Sequence, residues 1–245
     1  MIGDMQKWTP NVAGIIEHAR EIHPKTEIIS RLVSGEIHRS NYEKVCIRSR
    51  KLASALEKDG VKKGDVIATL ALNTYRHLEM YYGISGMGAI THTLNFRLHP
   101  EQAVYIINHA EDKIIFVELP FVPILEALQE NLKTVEKYVV LCEVDEMPET
   151  TLKNAISYEE YIQDGDENYS WPTLEDDAAC ARCYTSGTTG NPKGVLYSHK
   201  SNVIHAQAAL TAMTIKPDDT ILMVVPLFHV LAWGIPYFGP MNGLK

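Results

Sequence analysis

The sequence predicts an α/β protein: a largely parallel sheet flanked by helices on both faces. Three observations predict it. Short apolar runs recur along the chain, each followed by a segment of helical period. The runs are continuously apolar rather than alternating, as strands buried on both faces are. With 45% hydrophobic against 22% charged residues over 245 positions, there is enough apolar material for a sizeable core.

Taken in order, Ser40-Asn41-Tyr42-Glu43 has the form of a capping box, and Val45, Ile47, Leu52, Ala53 and Leu56 follow at helical spacing up to Gly60, which predicts a helix. Val66 to Leu72, entered through Lys62-Lys63-Gly64-Asp65, is a short apolar run and reads as a buried strand. A helix is expected from Asn73 to Ala89 and a strand from Ile90 to Leu94. Pro100 to Glu111 reads as a helix whose proline suits the first turn, and Lys113 to Glu118 as a strand. A helix from Phe121 to Leu132 and a strand from Lys137 to Leu141 follow. Glu143 to Pro172 is acid-rich and unperiodic, which predicts a surface excursion. Ala178 to Tyr184 is the next expected strand, Thr185 to Gly194 a loop, Ser198 to Met213 a helix, and Thr220 to Leu227 another buried strand. The apolar, aromatic stretch Leu227 to Phe238 has little after it to close a core, so the chain reads as one that stops early.

Charge narrows the partners. The 23 Lys and Arg against 31 Asp and Glu leave a formal charge of −8, which disfavours nucleic acid and anionic membrane surfaces, so any anion must be bound locally. No apolar run approaches the roughly 20 residues of a membrane span, and no integral membrane segment is expected. Met1 to Pro10, with Asp4, Gln6 and Lys7, has no apolar leader core, so cytoplasm is the expected location. Of the cysteines, Cys46, Cys142, Cys180 and Cys183, only the last two share a Cys-x-x-Cys spacing, and no further ligands sit at zinc-site spacing. They read as core or strand cysteines, with a redox or metal pair as the alternative.

The segment that carries chemistry is Tyr184-Thr-Ser-Gly-Thr-Thr-Gly-Asn-Pro-Lys-Gly-Val195. Gly187, Gly190 and Gly194 would let backbone N–H groups approach phosphate oxygens. Thr185, Ser186, Thr188 and Thr189 would donate hydrogen bonds or enter a Mg²⁺ shell, and Lys193 would supply a point charge. It is not a Walker A loop, because Pro192-Lys193-Gly194 stands where Gly-Lys-Ser/Thr is required. Composition alone leaves a second reading open, a polar turn that caps its own backbone with Lys193 solvated.

The residue order of this segment resembles the phosphate-loop signature of the adenylate-forming superfamily, which contains acyl-CoA synthetases, luciferases and peptide-synthetase adenylation domains. His77-Leu-Glu79, Gly83, Gly88-Ala89 and Leu94-Asn95-Phe-Arg97 are similar to the stretch that precedes the loop in that superfamily. His109-Ala-Glu-Asp112-Lys-Ile-Ile-Phe116 and Pro226-Leu-Phe-His229 also resemble its motifs, so the similarity runs from about Tyr42 to the end. Tyr197-Ser-His199 and Pro226 to Trp233 look most like medium- and long-chain fatty acyl-CoA synthetases, with aryl-CoA ligases the nearby alternative.

The resemblance implies a reaction in which a fatty carboxylate attacks MgATP to give acyl-AMP, and the CoA thiol then displaces AMP. It implies Lys193 and His229 as catalytic residues. It assigns Thr185, Ser186, Gly187, Thr188, Thr189, Gly190, Lys193 and Val230 to the nucleotide, Thr185 to the Mg²⁺ shell and Trp233 to an acyl-tunnel gate. Read from the residues alone, Trp233 could as well fill a core beside Tyr237 and Phe238, and His229 could be an ordinary core or surface histidine. His199 and His205 read as helix residues. The implied partners are fatty acid, ATP and CoA, with a homodimer through the N-terminal region also in keeping with the resemblance. Residues 1–245 would then be an incomplete N-terminal domain with its phosphate loop at 184–195. The later Tyr-Gly-x-Thr-Glu and Gly-Asp motifs and the C-terminal lysine of the superfamily do not occur in the chain, which would leave it inactive by itself. A non-catalytic truncated paralogue that binds nucleotide or acyl groups, or dimerises, is the remaining alternative.

Overall fold

The computed structural model describes residues 4–5, 8–175, 177–185 and 191–245. The chain opens with a helix α1 (Val12–Ile22) and a hairpin of β1 (Glu27–Arg31) and β2 (Ile37–Asn41), elements the sequence reading did not propose. Helix α2 (Tyr42–Lys58) follows, but the capping box does not form. Ser40 is spent in the hairpin opposite Ile28, and Asn41 caps the helix instead, its side chain accepting from Lys44 N at 2.9 Å.

Strand and helix then alternate as the apolar runs predict: β3 (Val66–Leu70), α3 (Tyr75–Gly86), β4 (Ile90–Thr93), α4 (Pro100–Ala110), β5 (Asp112–Val117), α5 (Val122–Leu128) and β6 (Lys137–Val140). The expected surface excursion needs correcting, because it folds into β7 (Ala155–Ser157) and α6 (Tyr158–Gln163), with Tyr158 and Ile162 buried. After β8 (Ala179–Thr185), a strand β9 (Lys193–Ser198) starts inside the segment expected to be loop, and α7 (His199–Ala212) follows.

Among the described residues the main sheet has seven strands in the order β7-β6-β5-β3-β4-β8-β9, all parallel except the β8–β9 pair. Period-two geometry divides its side chains between two cores. On one face Ile67, Ile114, Phe116 and Val139 meet Leu52, Leu56, Met80, Tyr158 and Ile162. On the other, Ala68, Ile115, Val117, Tyr138 and Val140 meet Ile106, Ile107, Val122 and Leu125. A third cluster joins α1 and Tyr81 and Tyr82 of α3 to β8, α7 and the last residues of the chain.

The expected strand from Thr220 to Leu227 is not one. The segment is extended, with Ile221, Met223 and Val225 against the core and Leu222 and Val224 exposed, yet no strand pairs with it among the described residues. Apolar alternation prepares a strand face, but a ladder also needs a neighbour. A helical turn at Val230–Gly234 and helix α8 (Ile235–Met241) complete the chain.

Candidate functional site

Because β8 runs parallel to β4, its last residue, Thr185, emerges at the carboxyl end of the sheet, where open α/β sheets bind ligands. The antiparallel return on β9 places Lys193 directly opposite Thr185 and Gly194 opposite Tyr184. Thr185 and Lys193, the proposed metal-shell hydroxyl and phosphate cation, are therefore paired at the base of one loop, and both are exposed. Ser186, Gly187, Thr188, Thr189 and Gly190 lie outside the described residues. Gly194 packs closely on Tyr184: a Cβ there would stand 3.2 Å from its ring.

Tyr184 is itself held from behind. Its hydroxyl is 2.6 Å from His109 Nδ1, and its ring lies 5.1 Å from the ring of His92. His92 is fully buried, with Nδ1 2.8 Å from Asp112 Oδ2 and 3.0 Å from Oδ1. Burial pushes the Asp112 carboxyl above its ordinary range, against the pull of His92.

His229 and Val230 are exposed, and Trp233 is 61% exposed, so Trp233 does not fill the core that Tyr237 and Phe238 occupy. Val230, Leu231, Ala232 and Trp233 take φ of 46°, 51°, 47° and 56°, a full left-handed turn in residues that carry a Cβ. Such residues cost about 1–2 kcal/mol each in that region. Burial of Leu231 and Ala232 offsets the strain. His205, on α7 as expected, places Nε2 3.2 Å from the Trp233 carbonyl. His199 is also on α7, but is fully buried, its Nδ1 accepting from Val12 N at 3.3 Å.

The loop and the His229 turn share one end of the sheet. Thr93, the last residue of β4, donates to Phe228 O at 3.1 Å and lies 3.5 Å from Cys183 Sγ, two residues before Thr185. No hydrogen bond joins His229 to Thr185 or Lys193 among the described residues. Cys180 and Cys183 are buried core residues on β8, as the absence of further ligands at zinc-site spacing led us to expect. Cys180 accepts from Asn202 Nδ2 at 3.0 Å, and burial pushes its thiol up to about 12, away from the reactive thiolate form. Asn73, Thr93 and the His92–Asp112 pair were not legible as site residues, because single polar residues at strand ends carry no motif of their own.

Comparison with known proteins follows the same outline. The chain is 44% identical over 247 residues to the medium-chain-fatty-acid–CoA ligase of Ectopseudomonas oleovorans, an alignment covering 100% of this chain and 45% of that protein. It is 42% identical over 245 residues to the 3-methylmercaptopropionyl-CoA ligase of Ruegeria pomeroyi, covering 99% of this chain and 46% of the relative. The fold matches a crystal structure of an anthranilate CoA ligase in complex with anthranoyl-AMP, with a TM-score of 0.85 at 22% identity over 100% of this chain and 46% of that one. The chain thus spans about half the length of the curated relatives it matches. With Thr185 at the end of β8 paired to Lys193 on the return strand, and with residues 16–245 matching the AMP-binding enzyme family, the chain belongs to that family.

Proposed function

We propose that this chain is the phosphate-loop part of a longer enzyme that activates a fatty acid with ATP to acyl-AMP and transfers the acyl group to CoA. The observation that carries the reading is the pairing of Thr185 with Lys193 across the base of the Thr-Ser-Gly-Thr-Thr-Gly loop at the carboxyl end of the sheet. Its closest support in substrate class is the similarity to medium-chain and long-chain fatty-acid–CoA ligases, at 44% and 41% identity.

In this reading Lys193 faces the β- and γ-phosphates and stabilises the charge that develops as pyrophosphate leaves, while Ser186, Gly187, Thr188, Thr189 and Gly190 orient those phosphates through hydroxyl and backbone N–H groups. Thr185 offers the hard oxygen donor that Mg²⁺ favours, and the ion when bound neutralises phosphate charge. The exposed Val230 lines the adenylate pocket, and His229 stands between the acyl-adenylate and the path of the CoA thiol. Trp233, exposed on its left-handed turn, stands at the mouth of the acyl channel. The reading includes a cytoplasmic location and a homodimer formed through the N-terminal region. Among the described residues no helix is long and apolar enough to cross a membrane.

The test is pyrophosphate release with MgATP and a panel of acids, from short to long chain with 3-methylmercaptopropionate and one aryl acid. It compares the longest reading frame that contains this sequence with the 245-residue chain. Release that depends on fatty acid, from the long form only, is expected, and Lys193→Ala should lower kcat about 10²- to 10³-fold, as losing one charge-stabilising donor does. Release with the aryl acid alone would move the substrate class. No release from either form would favour a non-catalytic, truncated relative.

A further inference from the structure

We infer that Asn73 is a positioning residue for the His229 segment, holding residues 223–227 against the carboxyl ends of β3 and β4. The inference rests on the reading of His229 and its neighbours as part of the adenylate-forming site. Its structural half stands apart from that reading.

The extended segment from Thr220 to Leu227 pairs with no strand among the described residues, so its backbone groups must find partners elsewhere. A single side chain supplies three of them. Asn73, just past the end of β3, donates through Nδ2 to Met223 O at 3.2 Å and Val225 O at 3.0 Å, and its Oδ1 accepts from Leu227 N at 2.7 Å. The carbonyls of 223 and 225 and the N–H of 227 belong to alternate residues and face one side, so the carboxamide serves where a neighbouring strand would.

Two further side chains extend the clamp. The Tyr81 hydroxyl donates to Leu227 O, and Thr93 Oγ1 donates to Phe228 O at 3.1 Å. The next residue is His229, whose N–H closes a turn on Pro226 O at 2.9 Å. Between the Asn73 clamp and the candidate catalytic histidine, three of the four backbone polar groups of Leu227 and Phe228 are thus held by side chains, and the left-handed turn starts immediately after His229.

The chemistry demanded of residue 73 is specific. Aspartate keeps the acceptor for Leu227 N but sets a carboxylate oxygen against two carbonyls. Alanine removes all three bonds, and glutamine carries the amide one methylene too far.

Amide hydrogen exchange on the 245-residue chain measures the clamp. In Asn73→Ala, Leu227 and the peptide spanning 223–229 should exchange about tenfold faster or more, with β3, β5 and β6 unchanged, since hydrogen bonds of modest individual worth are lost locally. In Asn73→Asp, faster exchange should spare Leu227 relative to its neighbours; this variant also serves if the alanine chain does not fold. Wild-type exchange at Leu227 in Asn73→Ala, or a rise spread evenly over the whole sheet, would overturn the inference.

The catalytic consequence is read in the longest reading frame. Asn73→Ala should lower kcat for acyl-CoA formation about tenfold while KM for ATP stays within about twofold, because the phosphate loop on β8 and β9 is not touched. Equal loss through KM for ATP would overturn the positioning role. If the unmodified long form released no pyrophosphate with any acid, the ligase reading would fall, and the exchange data alone would decide the clamp.

Discussion

Gly165 shows how one residue type is dictated by a contact far away in sequence. It follows α6, where the backbone passes so close to α2 that a Cβ would stand 2.2 Å from the carbonyl oxygen of Lys51. A backbone oxygen inside a helix cannot step aside as a side chain does. Gly165→Ala should destabilise the fold by about 1–3 kcal/mol, the usual cost of overpacking, visible as a lower urea midpoint at unchanged slope. Nothing around Gly165 in the acid-rich stretch marks it, whereas Gly187, Gly190 and Gly194 stand in a pattern whose residue order is itself informative. The same contrast separates Lys193 from Asn73. A motif residue is legible because its neighbours in sequence are its partners in function, and Asn73 is not, because its partners lie about 150 positions later.

At the scale of elements, α2, α3 and α6 are tied by buried charge as well as by apolar packing. Glu79, its side chain wholly buried, accepts from Arg48 Nε at 2.7 Å and from the Tyr158 hydroxyl at 2.9 Å. Arg48 turns its other nitrogens to both oxygens of Glu159 at 2.8 and 2.9 Å, and Arg76 Nε joins the same carboxylate at 2.9 Å. Burial raises the Glu79 pKa, and Arg48 pulls it back. Arg48→Met would leave that carboxylate buried without its cation, and a loss of about 3–5 kcal/mol is expected by chemical denaturation at neutral pH. The Arg48→Met/Glu79→Gln double variant should recover much of it, and equal losses in single and double variants would contradict this account. These ion pairs explain why α6 was read as surface excursion. Its place depends on partners on two other helices, and its short apolar pattern was too weak to announce it.

Over the whole molecule, two buried histidines make stability depend on pH. Burial drives His77 and His199 down from an ordinary value of 6.5 to about 4. Both are neutral in the folded chain, where Thr69 and Leu72 hold His77 and the Val12 N–H holds His199. Below pH 6.5 the unfolded chain takes up protons that the folded chain refuses until about pH 4, so stability falls with pH across that window. The slope approaches about 1.4 kcal/mol per pH unit for each histidine. His199→Asn, which keeps an acceptor for Val12, should flatten the fall between pH 6.5 and 4.5 when urea midpoints are compared. A variant that matched the original slope would show that His199 is already charged in the fold.

What the sequence determined by itself was the alternation of buried strands and helices, the parallel class of the sheet and the family to which the chain belongs. Each is written in neighbouring residues, through period, capping and residue order. The tertiary structure decided the rest. It paired Thr185 with Lys193, moved the α2 cap from Ser40 to Asn41 by claiming Ser40 for the hairpin, and kept Thr220 to Leu227 from becoming a strand. It also set Asn73 beneath the His229 segment and wound Val230 to Trp233 left-handed. Those outcomes share one physical reason. Each depends on which backbone or polar groups the folded chain brings together, and a group's need for a partner can be read locally while the choice of partner cannot.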